Sequence, residues 1–277
     1  MKIAITGSSG FIGSYLVESL KKQDYELILL DIVAGLNICN WEEIKDVKAD
    51  VFIHLANKSY VPDSYKNPKS FYDVNIISTL NILELCRLNN AKLIYFSSYI
   101  YGHPQYQPID EQHPIQAFNP YSQTKVICEE ICQGYNRDFN VPVIVFRPFN
   151  IYGKGQNEDF LIPTIIRQAK QGQIEIKDDR PKRDYIHVID IIFAIEKAIE
   201  LNIGDNIEIF NLGSGESNSV KEIIEIVLDL FENEIQYNCL NEYRQNEVMD
   251  TVANISKINR IGWRSTISLL EGLKSMI

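Results

Sequence analysis

Residues 1–31 constrain this chain more than any other stretch: M-K-I-A-I-T-G-S-S-G-F-I-G-S-Y-L-V-E-S-L-K-K-Q-D-Y-E-L-I-L-L-D. The apolar run Ile3-Ala4-Ile5 ends at Thr6, and Gly7, Gly10 and Gly13 follow at once. An amphipathic stretch, Phe11 to Lys22, comes next, and a second apolar run, Leu27 to Leu30, stops at Asp31. The order is strand, glycine turn, helix, strand, acid, and each piece has a part in holding a dinucleotide. Gly7 allows a sharp turn. Gly10 lets a pyrophosphate approach the N–H groups at a helix N-terminus, here those of Phe11 and Ile12, where the backbone dipole favours negative charge. Gly13 lets helix and sheet pack closely. Asp31 can accept hydrogen bonds from ribose hydroxyls and would repel a 2′-phosphate, so the pattern predicts NAD rather than NADP.

The rest of the chain extends this frame. Val51–Leu55, Lys92–Ser97 and Val143–Arg147 read as further strands, with helical patterns over Phe71–Arg87 and Tyr121–Phe139 between them. Such alternation means a parallel sheet covered on both faces, with sites at the carboxyl ends of its strands. The link from Asp31 to Val51 is too short for a full helix and a further strand. Beyond Arg147 the pattern loosens. Helices are predicted over Phe160–Gln171, Val188–Leu201 and Val220–Phe231, strands over Ile174–Ile176 and Glu208–Leu212, and two short helices within Ser256–Ile277. The expected fold is a doubly wound α/β Rossmann sheet with a small C-terminal α/β subdomain. Residues 1–155 form the cofactor domain, with 185–215 returning to it; 156–184 and 216–277 form the substrate-binding part.

Composition excludes several partners. The net charge of −10 gives no electrostatic case for nucleic acid or an anionic membrane surface. It also requires that any anionic ligand be met by local Arg or Lys. The five cysteines (Cys39, Cys86, Cys128, Cys132, Cys239) are odd in number and scattered. With no His or second Cys pair to complete a ligand set, they read as reduced thiols rather than a metal site. No apolar run approaches membrane-spanning length and no signal peptide precedes the first strand, so a cytoplasmic location is expected.

The chemistry is concentrated in Tyr121-Ser-Gln-Thr-Lys125. Pro120 suits the first turn of a helix, and residues four apart share a helical face, so the Lys125 ammonium can sit beside the Tyr121 hydroxyl. Tyrosine titrates near pH 10 in isolation; a cation at ~4 Å, with an effective dielectric of ~20, is worth about 4 kcal/mol and would bring it towards neutrality. Upstream, Phe96-Ser97-Ser98-Tyr99-Ile100-Tyr101-Gly102 closes a strand and offers a hydroxyl to the oxygen that Tyr121 would deprotonate.

With these residues in view, the chain resembles the extended short-chain dehydrogenase/reductases, the NAD-dependent epimerase/dehydratase group that acts on nucleotide sugars. The resemblance also rests on His54-Leu55-Ala56, on Asn75 in D-V-N-I-I-S-T-L-N, on R-P-F-N-I-Y-G from Arg147, and on K-R-D-Y-I-H-V from Lys182. It implies that Ser97, Tyr121 and Lys125 are catalytic, Tyr121 being the base. It implies an NAD pocket that adds Asn37, Ile38, Leu55, Ala56, Ser59, Asn75, Tyr121, Lys125 and Phe149 to Gly7, Gly10, Phe11, Ile12, Gly13 and Asp31. It implies a nucleoside-diphosphate sugar held by Ser97, Tyr121, Asn150, Leu161, Arg183 and Arg244. Arg244 opens R-Q-N-E-V-M-D-T-V-A-N-I-S-K, which is similar to the family's R-x-G-D-x-x-x-x-x-A-D-I-S-K. Two guanidinium forks on one diphosphate would answer the charge problem. A homodimer through the Phe71–Arg87 and Tyr121–Phe139 helices, and a place in cell-surface polysaccharide biosynthesis, are implied as well.

Two departures matter. Family dehydratases carry an acid after the catalytic Ser/Thr; here those positions are Ser98 and Tyr99, which argues against elimination of water. The Asp-Ile over the adenine becomes Asn37-Ile38 after a shortened loop. Asp110 and Glu111 are expected to be solvated loop surface, His54 a core histidine, and His187 part of a helix start. Three functions remain open: a 4-epimerase that oxidises C4 and returns hydride, an NAD(P)H-dependent 4-ketoreductase, and a non-catalytic NAD-binding protein. The first is favoured by Asp31.

Overall fold

The structure, a computed structural model, describes residues 1–231 and 234–277. Residues 232 and 233, within the segment 216–277, lie outside the described residues. In chain order the elements are β1 (Lys2–Thr6), α1 (Phe11–Leu20), β2 (Glu26–Leu30), α2 (Trp41–Ile44), β3 (Val51–His54), α3 (Val61–Lys66), α4 (Pro68–Asn89), β4 (Lys92–Phe96), α5 (Pro120–Phe139), β5 (Val143–Pro148) and β6 (Asn150–Tyr152). Then follow α6 (Leu161–Lys170), β7 (Gln173–Ile176), β8 (Lys182–His187), α7 (Val188–Glu200), β9 (Ile207–Leu212), β10 (Ser217–Ser219), α8 (Val220–Leu230), β11 (Gln236–Cys239), α9 (Ser256–Asn259) and α10 (Leu269–Lys274).

β2-β1-β3-β4-β5-β9 form one parallel sheet. Its central strands are apolar on both faces because helices cover both. Ile3, Ile5, Ile53, Ile94 and Ile144 pack towards α1 and α7, against Leu16, Leu20, Ile191 and Ile195. Ala4, Phe52, Leu93, Tyr95 and Val143 pack the other way, against Ile82, Leu83, Cys86, Cys128 and Cys132 of α4 and α5. That is the doubly wound fold the alternation predicted.

The polar ends of these elements are tied down locally. Asn119 caps α5, accepting from the Ser122 N–H at 2.7 Å, with the Ser122 hydroxyl answering back. The half-buried Lys92 ammonium donates to three carbonyls at the end of α7 (Ala198, Ile199 and Leu201, 2.7–2.9 Å), where the helix dipole favours a cation.

The C-terminal part has its own core. Ile162, Ile165, Ile166 and Ala169 lie on one face of α6, against Ile223, Ile224 and Val227 of α8, with Tyr152, Tyr185 and Leu273. Fully burying an aliphatic side chain of this size stabilises by ~1.5–3 kcal/mol, so the packing of these stripes holds the subdomain together. β6-β8-β10 and β7-β11 are small accessory sheets. The periodicity did not reveal α3, β6, β8, β10 or β11. The four strands are short and polar, with no apolar run, and the six-residue helix is too short to show a period.

Candidate active site

Strand ends and the loops behind them build the site. At β1, Gly7 takes φ +67° and its backbone abuts the Leu55–Ala56 backbone; a Cβ there would meet Ala56 N at 2.8 Å. Gly13 is tighter still, since its Cβ would fall 2.1 Å from Gly7 O. Gly10 is the N-cap of α1 with no side-chain cap, so the first-turn amides, those of Phe11 and Ile12 among them, have no intrahelical acceptor. This cradle fits a pyrophosphate. Asp31 is buried at the end of β2 and accepts from Ser9 N–H at 2.8 Å and Val33 N–H at 2.9 Å. Its carboxylate is therefore oriented by the loop that would hold the adenosine half. Asn37 is exposed and turns its own Oδ1 back to the Cys39 N–H (3.0 Å), while Ile38 is buried.

Asn75, 1 % exposed, clamps the loop after β3 to α5. It accepts from Lys58 N–H (2.8 Å) and donates to Lys58 O (3.1 Å) and the Thr124 hydroxyl (2.9 Å). Leu55 and Ala56 donate their N–H groups to the Thr6 hydroxyl, both at 3.1 Å. Ser59 is exposed beside Lys58 and Phe71. His54 is the core histidine expected. Its ring bridges Thr6 (2.8 Å) and Thr79 (3.2 Å), and burial pushes its pKa down to about 3.

Ser97, at the end of β4, gives its N–H to Phe146 O at 2.8 Å, and its buried Oγ has no hydrogen-bond partner. A buried hydroxyl without a partner is costly and marks a place made for another polar atom. Tyr121 enters from the first turn of α5, edge-on to Phe71. Burial raises its pKa to about 12, with a hydrogen bond from Ser98 working in the opposite direction. Lys125, one turn on and 2 % exposed, corrects the sequence expectation. Its ammonium donates to Phe96 O at 2.7 Å and lies 5.9 Å from the centre of the Tyr121 ring, so it does not lower the phenol's pKa in this state. Burial instead lowers the pKa of Lys125 itself to about 8. The physical reason is that a buried ammonium takes the nearest carbonyl on the sheet, which is at the end of β4.

The substrate side is built from β5, β6, β8 and the loop before α9. Phe149 is buried edge-on against Tyr99, with ring centres 5.2 Å apart. Asn150 donates to Asp184 O at 3.0 Å, and Leu161 is half-buried at the start of α6. Arg183 and Arg244 converge on one carboxylate, Glu247, at 2.5 Å and 3.9 Å. Asn246, where the family pattern has glycine, has φ +59°, a conformation Asn tolerates.

Asp110 and Glu111 correct a second expectation, since both are half-buried rather than solvated. The loop after Tyr101 folds down over the ends of β5 and β9. Glu111 accepts from the Asn211 N–H at 2.8 Å, and Asp110 from the Tyr106 hydroxyl at 2.7 Å. Beneath it runs a buried network the sequence reading missed. Arg147 pairs with Glu129 at 2.6 Å and donates to the Tyr101 hydroxyl at 3.1 Å; that hydroxyl donates to Asn211 Oδ1 at 2.6 Å. The signal was present in the spacing: Tyr121, Lys125 and Glu129 stand at i, i+4 and i+8 on α5.

A glycine cradle with an oriented acid, a partnerless serine hydroxyl at a strand end, and a half-buried tyrosine one helical turn from a buried lysine define a hydride-transfer enzyme of the Rossmann class. The chain matches the model of the NAD dependent epimerase/dehydratase family over residues 3–213, and it belongs to that family. It is 31% identical to a UDP-glucose 4-epimerase of Halalkalibacterium halodurans, over 98% of this chain and 92% of that one. It is 27% identical to GDP-6-deoxy-D-mannose reductase of Pseudomonas aeruginosa, over 100% of this chain and 96% of that one. Among solved structures it is similar to UDP-glucose 4-epimerase from Thermotoga maritima with UDP-glucose, with TM-score 0.90 and 27% identity over 100% of this chain and 97% of that one. Among the described residues no helix is long and apolar enough to cross a membrane, and no cluster of three or more His, Cys, Asp or Glu could hold a metal ion.

Proposed function

We propose that the chain is a nucleotide-sugar 4-epimerase that keeps its NAD through the cycle. The observation that carries this reading is the buried, partnerless Ser97 hydroxyl at the end of β4, next in sequence to the Phe96 carbonyl that holds Lys125. NAD, when bound, supplies the hydride acceptor. Tyr121 takes the proton from the sugar C4 hydroxyl and later returns it. Ser97 donates to that oxygen and holds it while it becomes a carbonyl. Lys125, one helical turn from Tyr121 and bonded to Phe96 O, would give the deprotonated phenol a cationic neighbour on leaving that carbonyl. Ser98 and Tyr99 offer no carboxylic acid for elimination, which supports inversion rather than dehydration.

The cofactor-binding set is proposed as Gly7, Gly10, Phe11, Ile12, Gly13, Asp31, Asn37, Ile38, Leu55, Ala56, Ser59, Asn75 and Phe149, with Tyr121 and Lys125. Asn150, Leu161, Arg183 and Arg244 hold the nucleoside diphosphate, with Glu247 giving way to it. Residues 1–155 and 185–215 act as the cofactor domain, and 156–184 and 216–277 as the substrate domain. The exposed Ile77, Leu80 and Leu88 on α4, with Phe139 on α5, support a homodimer through these two helices. A cytoplasmic setting fits the absence of an apolar helix of spanning length among the described residues.

The 4-ketoreductase reading is supported by the similarity to the Pseudomonas reductase along the whole chain and by the shortened loop after Asp31, where Ile32 and Val33 are exposed. The deciding experiment releases and quantifies nucleotide from the purified protein, then follows UDP-glucose by NMR. Stoichiometric NAD and a C4-inverted product are expected. Empty protein that oxidises NADH with a 4-keto sugar would establish the reductase instead. Light scattering of a Leu80→Asp variant tests the dimer.

A further inference from the structure

Asp184 lies wholly buried in β8, one residue after Arg183, and its carboxylate takes four donors from two distant segments. Oδ1 accepts from the Ser214 N–H at 2.6 Å and the Ser214 hydroxyl at 2.8 Å. Oδ2 accepts from the Gly215 and Ala253 N–H groups, each at 3.0 Å. Ser214 and Gly215 follow β9, the edge strand of the large sheet. Ala253 belongs to the segment that begins at Arg244 and carries Glu247. The junction is packed as well as bonded: a Cβ at Gly213 would fall 2.5 Å from Asp184 Oδ2 and 2.6 Å from the Ala253 Cβ. Two backbone contacts continue it. Lys182 N–H donates to Met249 O at 2.8 Å, and on the other side of the segment Ile109 N–H donates to Val252 O at 2.8 Å. The Arg183–Glu247 ion pair also joins the segment to β8, but on the reading above that is the contact a diphosphate breaks. Arg244 itself is exposed, so its position follows from the anchored residues after it.

We propose that Asp184 is a positioning residue for the diphosphate: by holding Ala253 against β8 it sets Arg244 at the distance from Arg183 at which both guanidinium groups reach one ligand. A guanidinium fork binds phosphate well only in a narrow geometry, and two forks on one diphosphate need a fixed spacing between their backbones as well. A buried carboxylate filled with donors supplies that fixity, because moving any donor away strands a buried polar group. Unlike Glu247, Asp184 keeps its partners while the ligand enters. The inference rests on the nucleotide-sugar reading above, and its test is a binding measurement that does not depend on turnover.

The test measures UDP affinity by calorimetry on NAD-loaded protein, with Arg183→Ala and Arg244→Ala each placed in different backgrounds. In the otherwise wild-type chain each arginine variant should weaken UDP by ~10-fold or more, the size of a charge-assisted contact. Asp184→Asn keeps the shape but turns an amide NH₂ towards N–H groups that need an acceptor. In that background UDP should bind ~10-fold more weakly and Arg244→Ala should cost less than ~3-fold further. Arg183→Ala should still cost ~10-fold there, because β8 keeps its pairing with β6 and β10. Gly213→Ala drives a methyl group into the same junction and leaves the carboxylate in place; it should give the same pattern and serves where Asp184→Asn does not fold. NAD content should stay at the wild-type level in both. An unchanged cost of Arg244→Ala across the backgrounds would overturn the inference. So would loss of NAD or of the fold in both junction variants, which would make the carboxylate a support of the whole molecule. A wild type that binds no UDP, or binds it without either arginine, would overturn the nucleotide-sugar reading and this inference with it.

Discussion

The Lys125 ammonium lies 5.9 Å from the centre of the Tyr121 ring and gives its hydrogen bond to Phe96 O, 2.7 Å away. The two groups sit on one helical face, as i and i+4 require, but the sheet captures the cation first. Without a further partner the phenol is a poor base, with a pKa of about 12.

The first prediction follows from that pair. Tyrosinate absorbance of the cofactor-free wild type, minus that of Tyr121→Phe, should titrate near pH 12. Loading with NAD, whose nicotinium ring is cationic, should lower that midpoint by roughly two pH units. Lys125→Met should keep it high and reduce kcat by ~10²–10⁴-fold. A midpoint already near 8 without cofactor would contradict the geometry.

Gly13→Ala should abolish NAD binding and destabilise the fold. The added Cβ would fall 2.1 Å from the Gly7 carbonyl oxygen, and backbone on both sides has to move. The expected loss is ~2 kcal/mol or more, read as a drop in urea midpoint, with no NAD released from the purified variant. Gly134→Ala, with nothing near its Cβ, should raise stability slightly and serves as the control.

His54 predicts acid sensitivity. Its pKa is about 3 in the folded chain because of burial, with Lys125 adding to the effect, against 6.5 unfolded. Below pH 6.5 the unfolded chain binds the extra proton, so this contribution is complete above that pH and is lost as pH falls towards 3. The full loss is at most about 5 kcal/mol. Urea midpoints between pH 7 and 4 should decline in the wild type, and the slope should shrink by one proton in His54→Gln.

The buried pair Arg147–Glu129 predicts an asymmetry between single and double variants. Both side chains are almost wholly buried and 2.6 Å apart. Glu129→Gln strands the guanidinium and should cost ~3–5 kcal/mol, whereas Arg147→Met with Glu129→Leu should recover much of it. Equal losses in the single and double variants, measured by urea unfolding, would show that the network's hydrogen bonds to Tyr101 and Glu111 carry the stability instead.

Much of this architecture was legible in the sequence because its signals are local. The strand-glycine-helix order of residues 1–31, the apolar runs of β3, β4 and β5, and the amphipathic faces of α5, α6 and α8 each depend on a few neighbouring residues. The strands β6, β8, β10 and β11 were not legible, since they are short and polar (N-I-Y, K-R-D-Y-I-H, S-N-S and Q-Y-N-C) and none carries the apolar run that marks β3, β4 and β5. Nor was the placement of Asp110 and Glu111. Polar residues in a proline-rich loop look solvated until the loop is seen folded over β5 and β9.

The sequence by itself determined the covalent spacings: three glycines at intervals of three, a tyrosine and a lysine four apart, and a serine five before a glycine. These fix which groups share a turn, a helix face or a strand end. Only the tertiary structure decided which groups meet across elements. It turned Lys125 to the Phe96 carbonyl with the Tyr121 ring 5.9 Å away, left the buried Ser97 hydroxyl without a partner, and gathered Arg183 and Arg244 about Glu247. The reason is physical. Spacing along a helix or strand is set by backbone geometry, but contacts between elements are set by packing and by the demand that buried charges find partners, and those partners lie far away in the chain.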